Sequence, residues 1–82
     1  MFHRAVDIQF NDGTNIEVTF NDGKVFGYNM SKLYEKYPCL RALDDEEFFK
    51  SGKLTEFGII WNDELDIETE TIYEEGILLR TV

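Results

Sequence analysis

The chain has 82 residues, 15% of them aromatic, and a formal net charge of −9. That length makes a single domain, residues 1–82, which buries only about 60–65% of the surface its unfolded chain exposes. There is no apolar run of membrane-spanning length and no signal-peptide core after Met1-Phe2-His3-Arg4, and the single cysteine, Cys39, excludes an internal disulfide. A cytoplasmic protein is the expectation.

Apolar residues alternate from the start: Val6, Ile8, Phe10; then Ile16, Val18, Phe20; then Phe26, Tyr28. Two copies of Phe-Asn-Asp-Gly, at 10–13 and 20–23, interrupt the alternation. Period two broken by such turns predicts a three-stranded antiparallel meander. Parity selects the loop length. A two-residue Asp-Gly loop would set Ile8 opposite Glu17 and mix polar groups into the apolar face. Three-residue loops, Asn11-Asp12-Gly13 and Asn21-Asp22-Gly23, instead align Val6–Val18–Phe26 and Ile8–Ile16–Tyr28, with Gly in the left-handed position. The opposite face carries Asp7, Gln9, Asn15, Glu17 and Thr19 and is expected to be wet.

Asn29 or Ser31 is placed to cap a short helix over 32–36, which Pro38 ends by biasing Tyr37 out of the helical region. Leu33, Tyr34 and Tyr37 are spaced to bury one side, and Leu40 and Leu43 anchor the next turn. Asp44-Asp45-Glu46-Glu47 suits the start of a helix over 45–50, with Phe48 or Phe49 inward and Gly52 as a C-terminal cap. Residues 53–61, with Leu54, Phe57, Ile59, Ile60 and Trp61, are expected as strand, bent at Gly58. Asn62-Asp63-Glu64 is a turn and Leu65-Asp66-Ile67 a brief extended piece. Thr69 is expected to cap a helix over 70–75, with Ile72 and Tyr73 inward and Gly76 as its stop. Ile77, Leu78 and Leu79 suit a last strand or an interface. The fold class is therefore α+β: an N-terminal meander, short helices, a second β segment and a C-terminal helix.

Phe-x-Asp-Gly, a short Leu-bearing helix, then Ile60-Trp61, Leu65-Asp66-Ile67 and Ile72-Tyr73 give a pattern that resembles the bacterial family called domain of unknown function 2442, over about residues 6–73. Where relatives usually have Trp-Pro-x-Gly, this chain has Trp61-Asn62-Asp63-Glu64, so the turn there differs. The resemblance implies a small α+β domain of bacteria and their mobile elements. It also implies that some members sit beside a second small protein in pairs like toxin and antitoxin. It brings no catalytic residues.

Charge is unevenly placed. Residues 1–43 hold five acids and five bases; residues 44–75 hold twelve acids against Lys50 and Lys53. Such a surface repels phosphate backbones, so no direct nucleic-acid binding is expected, and no membrane partner either. His3 sits at a terminus expected to fray, and Cys39, expected to be a small buried residue, has no histidine beside it in sequence. One Cys and one His do not make a zinc site, and no phosphate loop or catalytic set is present. No cofactor is called for. These features fit a non-enzymatic, acidic protein-binding regulator, antitoxin-like or inhibitor-like, whose partner is a basic protein; a homodimer is left open. The candidate contact residues are Asp63, Glu64, Asp66, Glu68 and Glu70, with Trp61 as an aromatic anchor or, alternatively, a core residue. Two other readings stand beside it: a phage-encoded mimic of nucleic acid that blocks a host defence enzyme, and a metal-dependent domain using the acidic cluster.

Overall fold

A computed structural model describes residues 3–56 and 58–82. Phe57, expected within a strand, lies outside the described residues. The chain is α+β, with two antiparallel sheets and short helices.

Strands β1 (Ala5–Phe10), β2 (Asn15–Phe20) and β3 (Lys24–Asn29) pair antiparallel in sequence order. The second turn follows the expected three-residue form. Gly23 has φ 87°, its N–H donates to the Phe20 carbonyl at 2.9 Å, and Val18 faces Phe26 while Ile16 faces Tyr28.

The first turn departs from expectation. Its loop is Asp12-Gly13-Thr14, closed by a 2.8 Å bond from the Asn11 N–H to the Asn15 carbonyl, with Gly13 at φ 70° and Thr14 at φ 60°. Ile8 therefore faces Val18, and Phe10 faces Ile16, two residues from the expected register. The faces survive, because a shift of two preserves side-chain parity. The displaced register gives Phe10 an apolar partner where the expected one offered Thr14. The loop is held by polar groups: Asn15 Nδ2 donates to the Asp12 carbonyl at 2.9 Å, and the Thr14 hydroxyl donates to the Gly13 carbonyl at 2.6 Å. A bulge between Ala5 and Asp7 corrects a second expectation. It turns Ala5 into the core opposite Phe20 and leaves Val6 56% exposed, so the rung Val6–Val18–Phe26 does not form.

After β3 the chain makes a short 3₁₀ turn, Met30–Leu33, capped by Asn29, whose Oδ1 accepts from the Ser31 N–H at 2.8 Å. Tyr37, at φ −130° and ψ 81°, is non-helical before Pro38, as expected. Pro38 then opens a second 3₁₀ stretch, Pro38–Asp44, with Leu40 and Leu43 buried. Because the first turn ends at Leu33, the inward face does not extend to Tyr37, which is exposed; Cys39 is exposed too. Both had been expected inside.

Helix α1 (Glu46–Phe49) is capped by Asp45, which accepts from the Glu47 and Phe48 N–H groups at 3.1 and 3.3 Å. Phe49 is buried. Residues 53–61 are a hairpin rather than one bent strand: β4 (Lys53–Leu54) pairs with β5 (Gly58–Ile60), and β5 with β6 (Asp66–Glu68). Helix α2 (Thr69–Glu75) follows directly. Thr69 is its first residue and is buried, not its cap. Strand β7 (Ile77–Thr81) then returns to pair with β3, which makes the large sheet four-stranded in the order β1-β2-β3-β7.

One core joins these parts. Ile16, Val18, Phe20 and Tyr28 from the large sheet meet Leu43, Phe49, Ile59, Trp61 and Ile72. Each fully buried large apolar side chain contributes about 1.5–3 kcal/mol, so this cluster is the main stabilising term in so small a domain. No helix among the described residues is long and apolar enough to cross a membrane.

Candidate functional site

The turn after Trp61 is organised by Asn62. Its Oδ1 accepts from the Glu64 and Leu65 N–H groups at 2.8 and 2.9 Å, and the Trp61 N–H donates to the Leu65 carbonyl at 2.8 Å. An Asn side chain thus performs a tight turn without Pro or Gly. It leaves Asp63 and Glu64 exposed at the tip, and the extended β6 that follows keeps Asp66 and Glu68 exposed on one side.

These acids rim a cleft of about 710 Å³ beside the small sheet. Its walls include Leu33, Leu40, Leu65 and Ile67, and its margin carries Glu64, Asp66, Glu68 and Glu75 against Lys36 as the base. Leu33, Lys36, Tyr37, Cys39 and Leu40, at the join between the two 3₁₀ stretches, line the cleft together with residues of β5 and β6. Leu33 and Leu40 are buried in the core, as expected, and also line the cleft; sequence reasoning did not bring Lys36, Cys39 and Glu75 to this place. Their only signal was the conjunction of an exposed base and acid on elements whose packing was unknown.

The expected contact residues divide three ways. Glu64, Asp66 and Glu68 lie on the cleft, and Asp63 is exposed beside it. Trp61 belongs to the core: it is 9% exposed, and its Nε1–H donates to the Phe49 carbonyl at 2.8 Å. Gly52 lies flat against the indole, where a Cβ would fall 2.6 Å from Nε1. Gly52 thus serves close approach rather than the cap expected of it. Glu70 points elsewhere, with Oε1 2.7 Å from His3 Nδ1.

That contact belongs to a second cluster, centred on Tyr73. The His3 ring stacks on the Tyr73 ring at 3.7 Å between centroids, so His3 is held in place rather than frayed. Phe20 and Phe26 pack against the same ring. The Tyr73 hydroxyl donates to Asp22 Oδ2 and receives Lys24 Nζ at 3.4 Å. This hydroxyl and the Lys24 N–H hold the Asp22 carboxyl below its usual range, while the bond to Asp22, with burial behind it, pushes the phenol up. A phenol raised in this way stays protonated as a donor and makes a poor nucleophile. The cluster clamps α2 to the second turn of the large sheet.

Among the described residues no three His, Cys, Asp or Glu side chains converge as a metal site would require. A smaller cleft of about 580 Å³ lies between the first turn and α1, where Asp12, Asp44 and Glu46 flank Leu43 and Phe49.

The sequence model of the family described as protein of unknown function, DUF2442, matches residues 5–77. The chain belongs to the DUF2442 family. The match runs from β1 to the first residue of β7 and includes the whole acidic cleft. No curated protein and no solved structure matches the chain.

Proposed function

We propose that this DUF2442 protein is a non-enzymatic regulator that binds a basic protein through the acid-rimmed cleft, in the manner of an antitoxin or an inhibitor. One observation carries the reading: Glu64, Asp66, Glu68 and Glu75 stand around a cleft walled by Leu33, Leu40, Leu65 and Ile67. Ile67 and the exposed Tyr37, over the buried Leu33, Leu40 and Leu65, supply the apolar contact, and the charged margin supplies attraction and orientation. The fitting ligand is a segment with one or two large apolar side chains flanked by Lys or Arg. Trp61, buried against Phe10 and Phe49, does not itself reach the partner.

The test is chemical cross-linking in the native host followed by kinetics on the protein recovered. Charge reversal at Glu64, Asp66 and Glu68 together should slow association several-fold at low salt. Reversal at Asp7 and Asp12, neither of which lines this cleft, should not. A partner whose association is indifferent to both variants and to salt would remove this reading.

A further inference from the structure

The tetrapeptide Phe-Asn-Asp-Gly occurs twice, at 10–13 and 20–23, and the fold treats the two copies differently. At Asp-Gly a main chain rearranges readily, because glycine has no side chain to hinder attack by its nitrogen on the aspartate carboxyl group. The rate then depends on how firmly that carboxyl group and that nitrogen are held.

At the second copy both are held. Asp22 Oδ2 accepts from the Tyr73 hydroxyl, and Oδ1 accepts from the Lys24 N–H at 3.0 Å. The Gly23 N–H donates to the Phe20 carbonyl at 2.9 Å, and the Gly23 carbonyl accepts from the Val82 N–H at 2.7 Å. The turn is thus fastened to α2 and to the end of the chain as well as to itself. The Tyr73 hydroxyl first, then the Lys24 N–H, hold the Asp22 carboxyl below its usual range, and the anion so favoured is a poor electrophile.

At the first copy neither is held. Asp12 and Gly13 are exposed, and among the described residues no donor bonds the Asp12 carboxylate. Lys50, which feels its charge, is bonded to Glu46 at 2.9 Å instead. The Gly13 N–H lies outside the turn's closing bonds, which are donated by the Asn11 and Asn15 N–H groups. What steadies this turn are bonds to carbonyls. Asn15 Nδ2 donates to that of Asp12, and the Thr14 hydroxyl and Asn29 Nδ2 donate to that of Gly13, the last at 3.4 Å. All three are exposed to solvent and open at little cost. The turn is also strained, since the β-branched Thr14 holds φ 60° directly after Gly13 at φ 70°.

We infer that Asp12 is a site of spontaneous isoaspartate formation in the folded protein, and that Asp22, in the same tetrapeptide, is protected. The Gly13 nitrogen attacks Cγ of the neutral Asp12 carboxyl group. An N–Cγ bond forms, the Cγ–OH bond breaks, and the hydroxyl leaves as water with the amide proton. The product is a five-membered cyclic imide. Water then adds at Cγ, restoring aspartate, or at the main-chain carbonyl, breaking its bond to the Gly13 nitrogen. The second route leaves the main chain running through Cγ and frees the former main-chain carboxyl group as the side group. The water lost in the first step is regained in the second, and no oxidant, metal or cofactor takes part. The loop gains one methylene in its main chain, and its carboxylate moves to a shorter branch at the margin of the smaller cleft.

The test is to incubate the full chain at neutral pH and body temperature and to map its peptides by electron-transfer fragmentation, which separates isoaspartate from aspartate. Methyl transfer from S-adenosylmethionine by an isoaspartyl methyltransferase counts the product independently. Isoaspartate should accumulate at residue 12 at least about tenfold faster than at residue 22. In denaturant the two sites should react at similar rates, because their tetrapeptides are identical. Tyr73→Phe should speed the reaction at residue 22 and leave that at residue 12 alone. Asp12→Glu, whose longer side chain closes the ring far more slowly, should remove most of the methyl-accepting product. A folded chain that yields no isoaspartate at residue 12, or equal amounts at both sites, overturns the inference. So does a preference for residue 12 that persists in denaturant, which would assign the difference to neighbouring sequence rather than to the fold.

Discussion

Tyr73 and Asp22, far apart in sequence, share a hydrogen bond of 2.5 Å that ties α2 to the turn between β2 and β3. The two partners shift in opposite directions. Asp22 is held below its ordinary value of 3.8, first by the Tyr73 hydroxyl and then by the Lys24 N–H. Tyr73 is raised above 10.0, chiefly by Asp22. A depressed acid favours the fold above its unfolded pKa, and that contribution is lost as pH falls through the folded value. A raised phenol favours the fold below its unfolded pKa and ceases to do so as pH rises through the folded value. Tyr73→Phe should therefore return Asp22 toward its ordinary value in a carboxyl NMR titration. The variant's stability deficit should be present at neutral pH and fade below about pH 4. A variant with Asp22 unmoved would show that the hydroxyl is not its partner in solution.

Tyr34 gives a test on the alkaline side. Burial raises its pKa, with its bond to Asp44 Oδ1 at 2.9 Å adding to the effect. Tyr28 is also raised, by burial first. Both favour the fold near neutrality and lose that effect above their folded values. Spectrophotometric titration should show these two phenols ionising late and together with loss of structure, and Tyr34→Phe should remove one such proton.

The turn glycines are not equivalent. Both lie in the left-handed region, where an L side chain costs about 1–2 kcal/mol. At Gly13 a Cβ meets only Asn15 Nδ2, at 3.6 Å, whereas at Gly23 it falls 2.5 Å from the Val82 carbonyl oxygen. Gly23→Ala should therefore cost clearly more than Gly13→Ala in chemical denaturation. Thr14 holds a left-handed φ with a β-branched side chain. Thr14→Asn should leave the register intact and raise stability by up to about 1 kcal/mol.

Trp61 can be weakened in two ways without emptying the core. Trp61→Phe deletes the Nε1–H donor and leaves the Phe49 carbonyl with only the 3.4 Å bond from the Gly52 N–H, a loss of about 1 kcal/mol. Gly52→Ala presses a methyl group on the indole and should cost a similar amount through overpacking, about 1–3 kcal/mol. For comparison, Phe26→Ala should cost about 3–5 kcal/mol. Equal stability of the parent and both milder variants would place Trp61 outside the core.

The partner prediction rests on rate. Attraction between the acidic margin and a basic partner acts mainly on association and weakens as salt shortens the Debye length, from about 30 Å at 0.01 M to 8 Å at 0.15 M. Stopped-flow association should slow markedly over that range for the parent and hardly at all for the variant reversed at Glu64, Asp66 and Glu68. Equal slopes would assign the acids to solvation alone.

The alternation of Ile8, Ile16, Val18, Phe26 and Tyr28 made the large sheet and its apolar face legible, because period two is a local property. Turn register was half legible. Asn21-Asp22-Gly23 formed as read, but Asn11-Asp12-Gly13 slid by one residue, since pairing Phe10 with Ile16 outweighed the strain at Thr14. Residues 53–61 were read as a single strand because Gly58 suggested a bend where a close backbone approach was the cause: a Cβ there would lie 2.0 Å from the Ile67 carbonyl oxygen. At the cleft, Glu64, Asp66 and Glu68 were visible as a charge run. Their apolar counterparts Leu33 and Leu40 come from a distant stretch, and nothing local links that stretch to β6.

The pairing of β3 with β7 has a kinetic consequence. Strands β1 to β3 are joined by tight turns, and hairpins of this kind close in about 1–10 μs. Joining Phe26 to Leu78 instead requires everything between them to be arranged first, including α1, the small sheet and α2. Closing so long a loop costs entropy before its contacts repay it. The transition state for folding should therefore hold the β1–β2–β3 hairpins largely formed and β7 still free. Substitutions at Val18 should slow folding, while those at Leu78 should mainly speed unfolding.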